Sequence, residues 1–320
     1  MNTTELPIIK TENVERIKTA VSSALRTNDF LAVVANIGYG KTTLYNYLTG
    51  YWNLQPEKYN MLKIKAFKPK DGQSKIGPYM KQLIETIDPD IHIPMGSEMR
   101  YEVLTNALLE AHNRKKKVIM VIDEAQDLSI QTYRDLKKIH EIAAPSKDHL
   151  FTIILFGKPT DKFMKILRSA EIGARVKVQG MSGLINSEIF EIAKVSFGVT
   201  FDKTSTQDNF LRILTTKSPL AVKYACDLIK AQHEFNGVAT AEILTIAQTY
   251  GVVRLIKELG GSQNELKSRA ERKYKRIFGK GTISKFVNGK LDESSVLHKD
   301  LSDVANEYLN EMTGANQEVI

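Results

Sequence analysis

Two short stretches of this chain carry residues that can do chemistry. The first is Asn36-Ile37-Gly38-Tyr39-Gly40-Lys41-Thr42-Thr43. Two glycines let backbone N–H groups close around an anion, a lysine supplies a compact positive charge, and the hydroxyl beside it can ligate a divalent cation. This pattern predicts a phosphate-binding loop, with Lys41 on the β- and γ-phosphates of a nucleotide and Thr42 on Mg²⁺. The usual pattern opens with Gly, and Ala35 holds that position here. The second stretch lies about 80 residues further on, where five apolar residues end in Asp123-Glu124-Ala125-Gln126-Asp127. A carboxylate at the end of a buried strand can hold Mg²⁺ through water, which is the role expected of Asp123. Its neighbour Glu124 is placed to polarise an attacking water as general base.

These residues need a scaffold, and the hydrophobic pattern supplies one. An apolar run at 31–35 predicts a strand before the loop, and Leu44, Tyr45 and Leu48 recur at helical spacing after it. A helix over 11–30 is predicted from Val14, Ile17, Val21 and Leu25. Further strands are predicted at 60–67, 118–122, 150–156 and 176–179. Helices are predicted at 78–87, from a Ser97 cap to about Asn113, at 130–142 and at 161–167. Strands alternating with helices predict an α/β fold with a parallel, helix-covered sheet, whose ligands sit at the carboxyl ends of the strands. From about Met181 the strand-like runs nearly vanish, and helices at 185–197, 208–214, 220–231 and 241–248 predict an all-helical lid. Lys223, near the start of the third of these, reads either as a cation reaching back to the nucleotide or as an exposed helix lysine.

The chain has 320 residues, a net charge of +8 and a single cysteine, Cys226. That excludes an intrachain disulfide and a cysteine-built metal site. No apolar stretch approaches the ~20 residues of a membrane helix, and the N-terminus has no secretory pattern. The expectation is a cytoplasmic protein without a membrane partner. The positive charge concentrates near the C-terminus: residues 254–290 hold eleven Lys or Arg against three acids. There the pattern predicts helices at 252–259, 263–276, 282–290 and 297–309, with a tight turn at Gly279-Lys280-Gly281. A helix, a Gly turn and a short polar-fronted helix make a helix-turn-helix arrangement. Ile283, Phe286 and Val287 would face its core, and Lys280, Thr282, Ser284 and Lys285 a DNA groove. The alternative is a basic helical module that binds a protein partner. The expected division is 1–180 for the core, 181–250 for the lid, 251–312 for the basic domain and 313–320 for a flexible tail.

Taken together, the phosphate loop, the strand ending Asp-Glu-Ala, the strand ending Phe-Gly-Lys-Pro, the arginines before the last strand and the helical lid resemble the AAA+ P-loop ATPases. The wording DEAQDLS, a following Tyr-Arg-Asp-Leu-Lys-Lys helix and FTIILFGKPTDKF are similar to the transposition ATPases of the MuB and TnsC type. Residues 279–290 also resemble the MuB helix-turn-helix domain, although that domain precedes the ATPase there and follows it here. The resemblance implies an ATPase that uses ATP and Mg²⁺. It implies self-assembly on double-stranded DNA into an ATP-dependent oligomer or helical filament, and recruitment and stimulation of a DDE transposase. It also implies that Arg175 or Arg168 serves as an arginine finger on a neighbour's ATP, and that Lys68, Lys70 and Lys75 lie in a loop that touches DNA. Lys158 stands where this superfamily often has a polar Asn, Thr or Gln that senses the γ-phosphate, and it departs from that pattern. The competing expectations are a helicase loader or replication-initiation ATPase, an ATP-gated DNA-binding regulator, and a scaffold with a dead nucleotide site. Intact Lys41, Asp123 and Glu124 argue against the last.

Overall fold

The structure is a computed structural model that describes residues 9–66, 76–214, 216–230, 235–241, 243–244, 261–287, 291 and 296–313. Lys68, Lys70 and Lys75, the helix expected at 252–259, most of the one expected at 241–248, the expected Gly289 stop and all but the first residue of the expected tail lie outside the described residues. The chain forms two compact units. One comprises Lys10–Ile37 and Lys41–Ser182, and the other Met1–Ile9, Gly38–Gly40 and Gly183–Ile320.

The first unit is a five-stranded parallel sheet in the order β2-β3-β4-β1-β5. Its strands are β1 (Phe30–Val34), β2 (Tyr59–Lys65), β3 (Lys117–Asp123), β4 (Phe151–Gly157) and β5 (Val176–Gly180). Strands β1 and β4 are buried along their whole length, and β3 along all but its first residue. Central strands of a helix-covered sheet have no face left for water, which is why these three read as unbroken apolar runs. Edge strand β2 alternates Asn60, Leu62 and Ile64 inward with Lys63 and Lys65 toward solvent or its rim. Around the sheet run α1 (Glu12–Thr27), α2 (Lys41–Asn53), α3 (Gly77–Ile87), α4 (Ser97–Asn113), α5 (Ile130–His140) and α6 (Asp161–Arg168).

Two expected details change. Helix α1 ends at Thr27, with Asn28 left-handed at its C-cap, and it buries Ala24 where Leu25 was expected. Leu25 is left half-buried. Ser97 is the first residue of α4 and does not cap it; Gly96 is the N-cap, and its carbonyl accepts from Arg100 N at 3.0 Å.

Behind the sheet, His140 is 3% exposed and stacks on His149, with ring centroids 4.2 Å apart. Its Nε2 lies 2.9 Å from Asn28 O. Burial, with the neighbouring His149 charge, pushes its pKa down from the ordinary value to about 4. A base depressed in the folded state favours folding while neutral, and that contribution is lost as protons bind. Stability is therefore expected to fall as pH drops from about 6.5 toward 4, by roughly 3 kcal/mol from this group. Chemical denaturation across this range checks it: His140→Gln should flatten the acid limb, and an unchanged limb would refute the assignment.

The second unit contains α7 (Asn186–Phe197), α8 (Thr204–Ile213) and α9 (Pro219–Lys230). An all-helical segment was expected here, but a short parallel pair joins it: β6 (Thr200–Phe201) with β7 (Val238–Ala239). Two-residue strands are too short to show a period in sequence. Ile189, Val199, Phe210, Val222, Cys226 and Ile229 form the core of this part. The unit also takes in the glycine turn: Leu220 N donates to Gly38 O at 3.1 Å.

The last three described helices are α10 (Gln263–Tyr274), α11 (Lys280–Val287) and α12 (Val296–Thr313). The tight turn expected at Gly279-Lys280-Gly281 is instead the start of α11. Gly279 O accepts from Thr282 N at 2.9 Å and Ile283 N at 3.2 Å, which puts Lys280 and Gly281 in the first helical turn. The three helices share a core of Leu266, Ala270, Phe278, Ile283, Phe286 and Leu301, to which α9 contributes Tyr224. Among the described residues no helix is long and apolar enough to cross a membrane.

Candidate active site

The sheet order explains how the two chemical stretches meet. Strand β4 lies between β1 and β3, and all three run parallel. Their carboxyl ends therefore present three segments side by side: Lys41 after β1, Lys158 after β4, and Asp123-Glu124 at the end of β3. Gly157 O accepts the Ala35 N–H at 3.1 Å, which ties the entry of the loop to the residue before Lys158.

Gly38 and Gly40 have φ of +86° and +83°. Side-chain-bearing residues rarely adopt these angles, so the loop's path requires glycine at both. Asn36, Gly38, Tyr39 and Gly40 are half-buried, whereas Ile37, Thr42 and Thr43 are exposed. Lys41 opens α2 and is only 6% exposed. Burial lowers its pKa below the usual lysine value; Glu124 and Asp123 oppose that shift, and Lys158 adds to it. Among the described residues no partner reaches its ammonium within ion-pair or hydrogen-bond distance. A buried lysine at a helix N-terminus, with no ion-pair or hydrogen-bond partner among the described residues, fits the phosphates of a nucleotide. Thr42 and Asp123 are the oxygen donors that would hold Mg²⁺, a hard cation that takes such ligands.

Asp123 is 9% exposed, and its Oδ1 accepts the Glu124 N–H at 2.9 Å. Glu124 has φ 53° and ψ 37°, an uncommon conformation for a side-chain-bearing residue. It turns the chain from β3 into the short 3₁₀ turn Ala125–Asp127. Two groups hold Oε2 of Glu124: Gln126 Nε2 donates to it at 2.6 Å, and Lys158 Nζ lies 3.4 Å away. Gln126 also accepts the Lys158 N–H on Oε1 at 2.9 Å. Burial alone would raise the Glu124 pKa. The Gln126 hydrogen bond and the charges of Lys41 and Lys158 outweigh it, and the carboxyl sits below its ordinary value. These contacts favour the carboxylate form of Glu124. Sequence reasoning gave Gln126 no role, although its place two residues after Glu124 was visible.

Arg175 precedes β5 with its guanidinium on Glu141 at 2.9 Å, and Arg168 ends α6. Lys223 sits in α9 with its ammonium 5.5 Å from the centre of the Tyr224 ring. In the C-terminal segment, Lys280, Ser284 and Lys285 are exposed, Thr282 is half-buried, and Ile283 and Phe286 face inward as expected. The basic helix α10 is largely neutralised. Arg269 pairs with Glu265 and Glu311, Lys273 with Glu307, Arg276 with Asp300, and Lys267 with Glu271. Three of these acids, Asp300, Glu307 and Glu311, lie on α12, beyond the window in which the sequence count was made. Among the described residues, Lys275, Lys280 and Lys285 make no ion pair.

Residues 24–167 match the family model described as an AAA domain. No curated protein matches the chain. Among solved structures, the chain is similar to the Aeropyrum pernix ORC2 protein in its ADPNP–ADP complexes. The TM-score is 0.51 at 11% identity, covering 99% of this chain and 97% of that one. The ADP form of the same protein gives 0.50 at 11% identity, covering 97% and 95%. At such identities the likeness is one of fold, and the fold is that of the AAA+ ATPases.

Proposed function

With an AAA-type P-loop ATPase domain over residues 24–167, we propose that this chain hydrolyses ATP and that its ATP-bound form assembles on duplex DNA. There it marks target DNA and recruits and stimulates a DDE transposase. The observation that carries the ATPase reading is the placement of Lys41 and of Asp123 and Glu124 at the carboxyl ends of β1 and β3, on either side of β4. Lys41 binds phosphate oxygens. Glu124 orients the attacking water and takes its proton. Thr42 and Asp123 would hold Mg²⁺, which would supply positive charge to the phosphates. An arginine from a neighbouring subunit, Arg175 or Arg168, completes the site; Arg175 must first release Glu141. DNA binding is supported by the exposed lysines Lys275, Lys280 and Lys285, which make no ion pair among the described residues. The transposase assignment is supported by the resemblance around Asp123 and β4.

A second reading, a replication-initiation ATPase or helicase loader, is favoured by the full-length likeness to ORC2, which extends through the C-terminal segment. The deciding assay is strand transfer by a purified DDE transposase with and without this chain and ATP, run beside a helicase-loading assay. Stimulation of strand transfer supports the first reading, and loading alone supports the second.

The DNA interface has its own test. Removing residues 251–320 would uncover Tyr224, whose core partners lie there, so point variants are cleaner. Reversing Lys280 and Lys285 to Glu is expected to weaken DNA affinity about tenfold or more at low salt and to reduce the salt slope by roughly 2. ATP affinity should not change. Unaltered DNA affinity and slope would make this segment a protein-binding module.

A further inference from the structure

The turn between α10 and α11 holds an isoleucine out in water. Ile277 is 90% exposed, although the residues around it are anchored. Phe278 is 1% exposed in the core that the three helices share, and its N–H donates to Glu271 Oε1 at 3.0 Å. Arg276 pairs with Asp300, and its guanidinium lies 4.8 Å from the centre of the Phe278 ring. Lys275 closes α10 in the left-handed region, at φ 49° and ψ 37°. Ile277 is left at the tip of a fixed turn, and its branched Cβ makes the side chain itself stiff.

A lone exposed apolar residue is ordinary on a protein surface. This one also has a distinctive charge setting. Lys275 stands two residues before it and Lys280 three after; both are exposed, and neither makes an ion pair among the described residues. The acids that touch this turn are already committed, Glu271 to the Phe278 N–H and to Lys267, and Asp300 to Arg276. A rigid apolar tip flanked by ammonium groups matches a surface that is anionic outside and apolar within. Duplex DNA has that build, with phosphates along its grooves and stacked bases between them. A lipid surface asks for more apolar area than one side chain supplies.

We propose that Ile277 is a wedge, which enters the minor groove of duplex DNA and inserts between two base pairs while Lys275 and Lys280 sit on flanking phosphates. The wedge rests on the DNA-binding reading above. An aliphatic side chain pushed into a base step unstacks it and kinks the duplex there. The cost of unstacking depends on the step and is least at pyrimidine–purine steps such as TA. The C-terminal segment therefore prefers deformable DNA without reading any base edge. Because the turn is already ordered, little freedom is lost when it enters the groove.

The test compares the full chain as wild type, Ile277→Ala and Ile277→Leu on two duplexes, one rich in TA steps and one built of stiff A-tracts. The TA duplex carries 2-aminopurine in place of adenine, whose fluorescence rises on unstacking. The wild type is expected to raise the fluorescence at saturation and to bind the TA duplex about threefold to tenfold tighter than the A-tract. Ile277→Ala should lose most of the fluorescence rise and the preference, and Ile277→Leu should keep both. The salt slope should be the same for all three, because no phosphate contact is removed. Equal melting temperatures, expected for so exposed a side chain, exclude unfolding as the cause. If Ile277→Ala keeps the fluorescence rise and the preference, or if the wild type binds without unstacking, there is no wedge and the DNA-binding reading stands. A fall in salt slope with Ile277→Ala would also overturn the wedge, since the change would then act through the lysines. Failure of the wild type to bind either duplex overturns the DNA-binding reading itself.

Discussion

Lys41→Ala loses ATP binding, with affinity falling about a hundredfold or more. The magnitude follows from removing a charge-assisted contact, worth roughly 1.5–3 kcal/mol each, where one ammonium serves two phosphates. Lys158, whose charge also acts on Lys41, is paired with Glu124. The variant should not unfold. Burial lowers the Lys41 pKa, so the charged form is a burden on the nucleotide-free fold and not a support. The expected pattern is therefore lost nucleotide binding with an undiminished melting temperature in the absence of ligand. Fluorescence titration with labelled ATP and a thermal melt read both quantities. Wild-type affinity in the variant would sink the phosphate-loop assignment.

The second large effect is on Glu124→Gln, where ATP still binds but hydrolysis falls about a hundredfold to ten-thousandfold, the range expected for loss of a general base. The amide keeps the shape and can still meet Gln126, but it cannot take a proton from water. The ATP-bound assembly should accordingly persist on DNA far longer than in the wild type. Single-turnover hydrolysis and the lifetime of the DNA complex measure this. Turnover equal to wild type would show that another group activates the water.

The sequence by itself determined most of the sheet unit and which residues stand at its candidate site. Strands β1, β3 and β4 are legible because burial on both faces requires continuous apolar residues, and the phosphate loop because its glycines, lysine and threonine are contiguous. Asp123 and Glu124 are legible for the same reason, since one strand end carries both. The edge of legibility appears wherever a local period is short or ambiguous. Gly279-Lys280-Gly281 was expected to be a tight turn, but Lys280 and Gly281 open α11, and the β6–β7 pair is too short to leave a pattern.

What the sequence could not determine are the pairings between residues far apart in the chain. Gln126 and Lys158 are 32 positions apart, and their contact exists because β4 is inserted beside β3. Strand order is not written in any local pattern, so only the folded sheet could turn a glutamine and an unusual lysine into a ring around Glu124. The same holds for charge. Counting residues 254–290 makes α10 look like an open basic surface. The fold lays Asp300, Glu307 and Glu311 of α12 against it and leaves exposed charge at Lys275, Lys280 and Lys285. Local sequence sets which groups are present, but tertiary packing sets which charges face each other, and Coulomb energy depends on distance in space rather than along the chain.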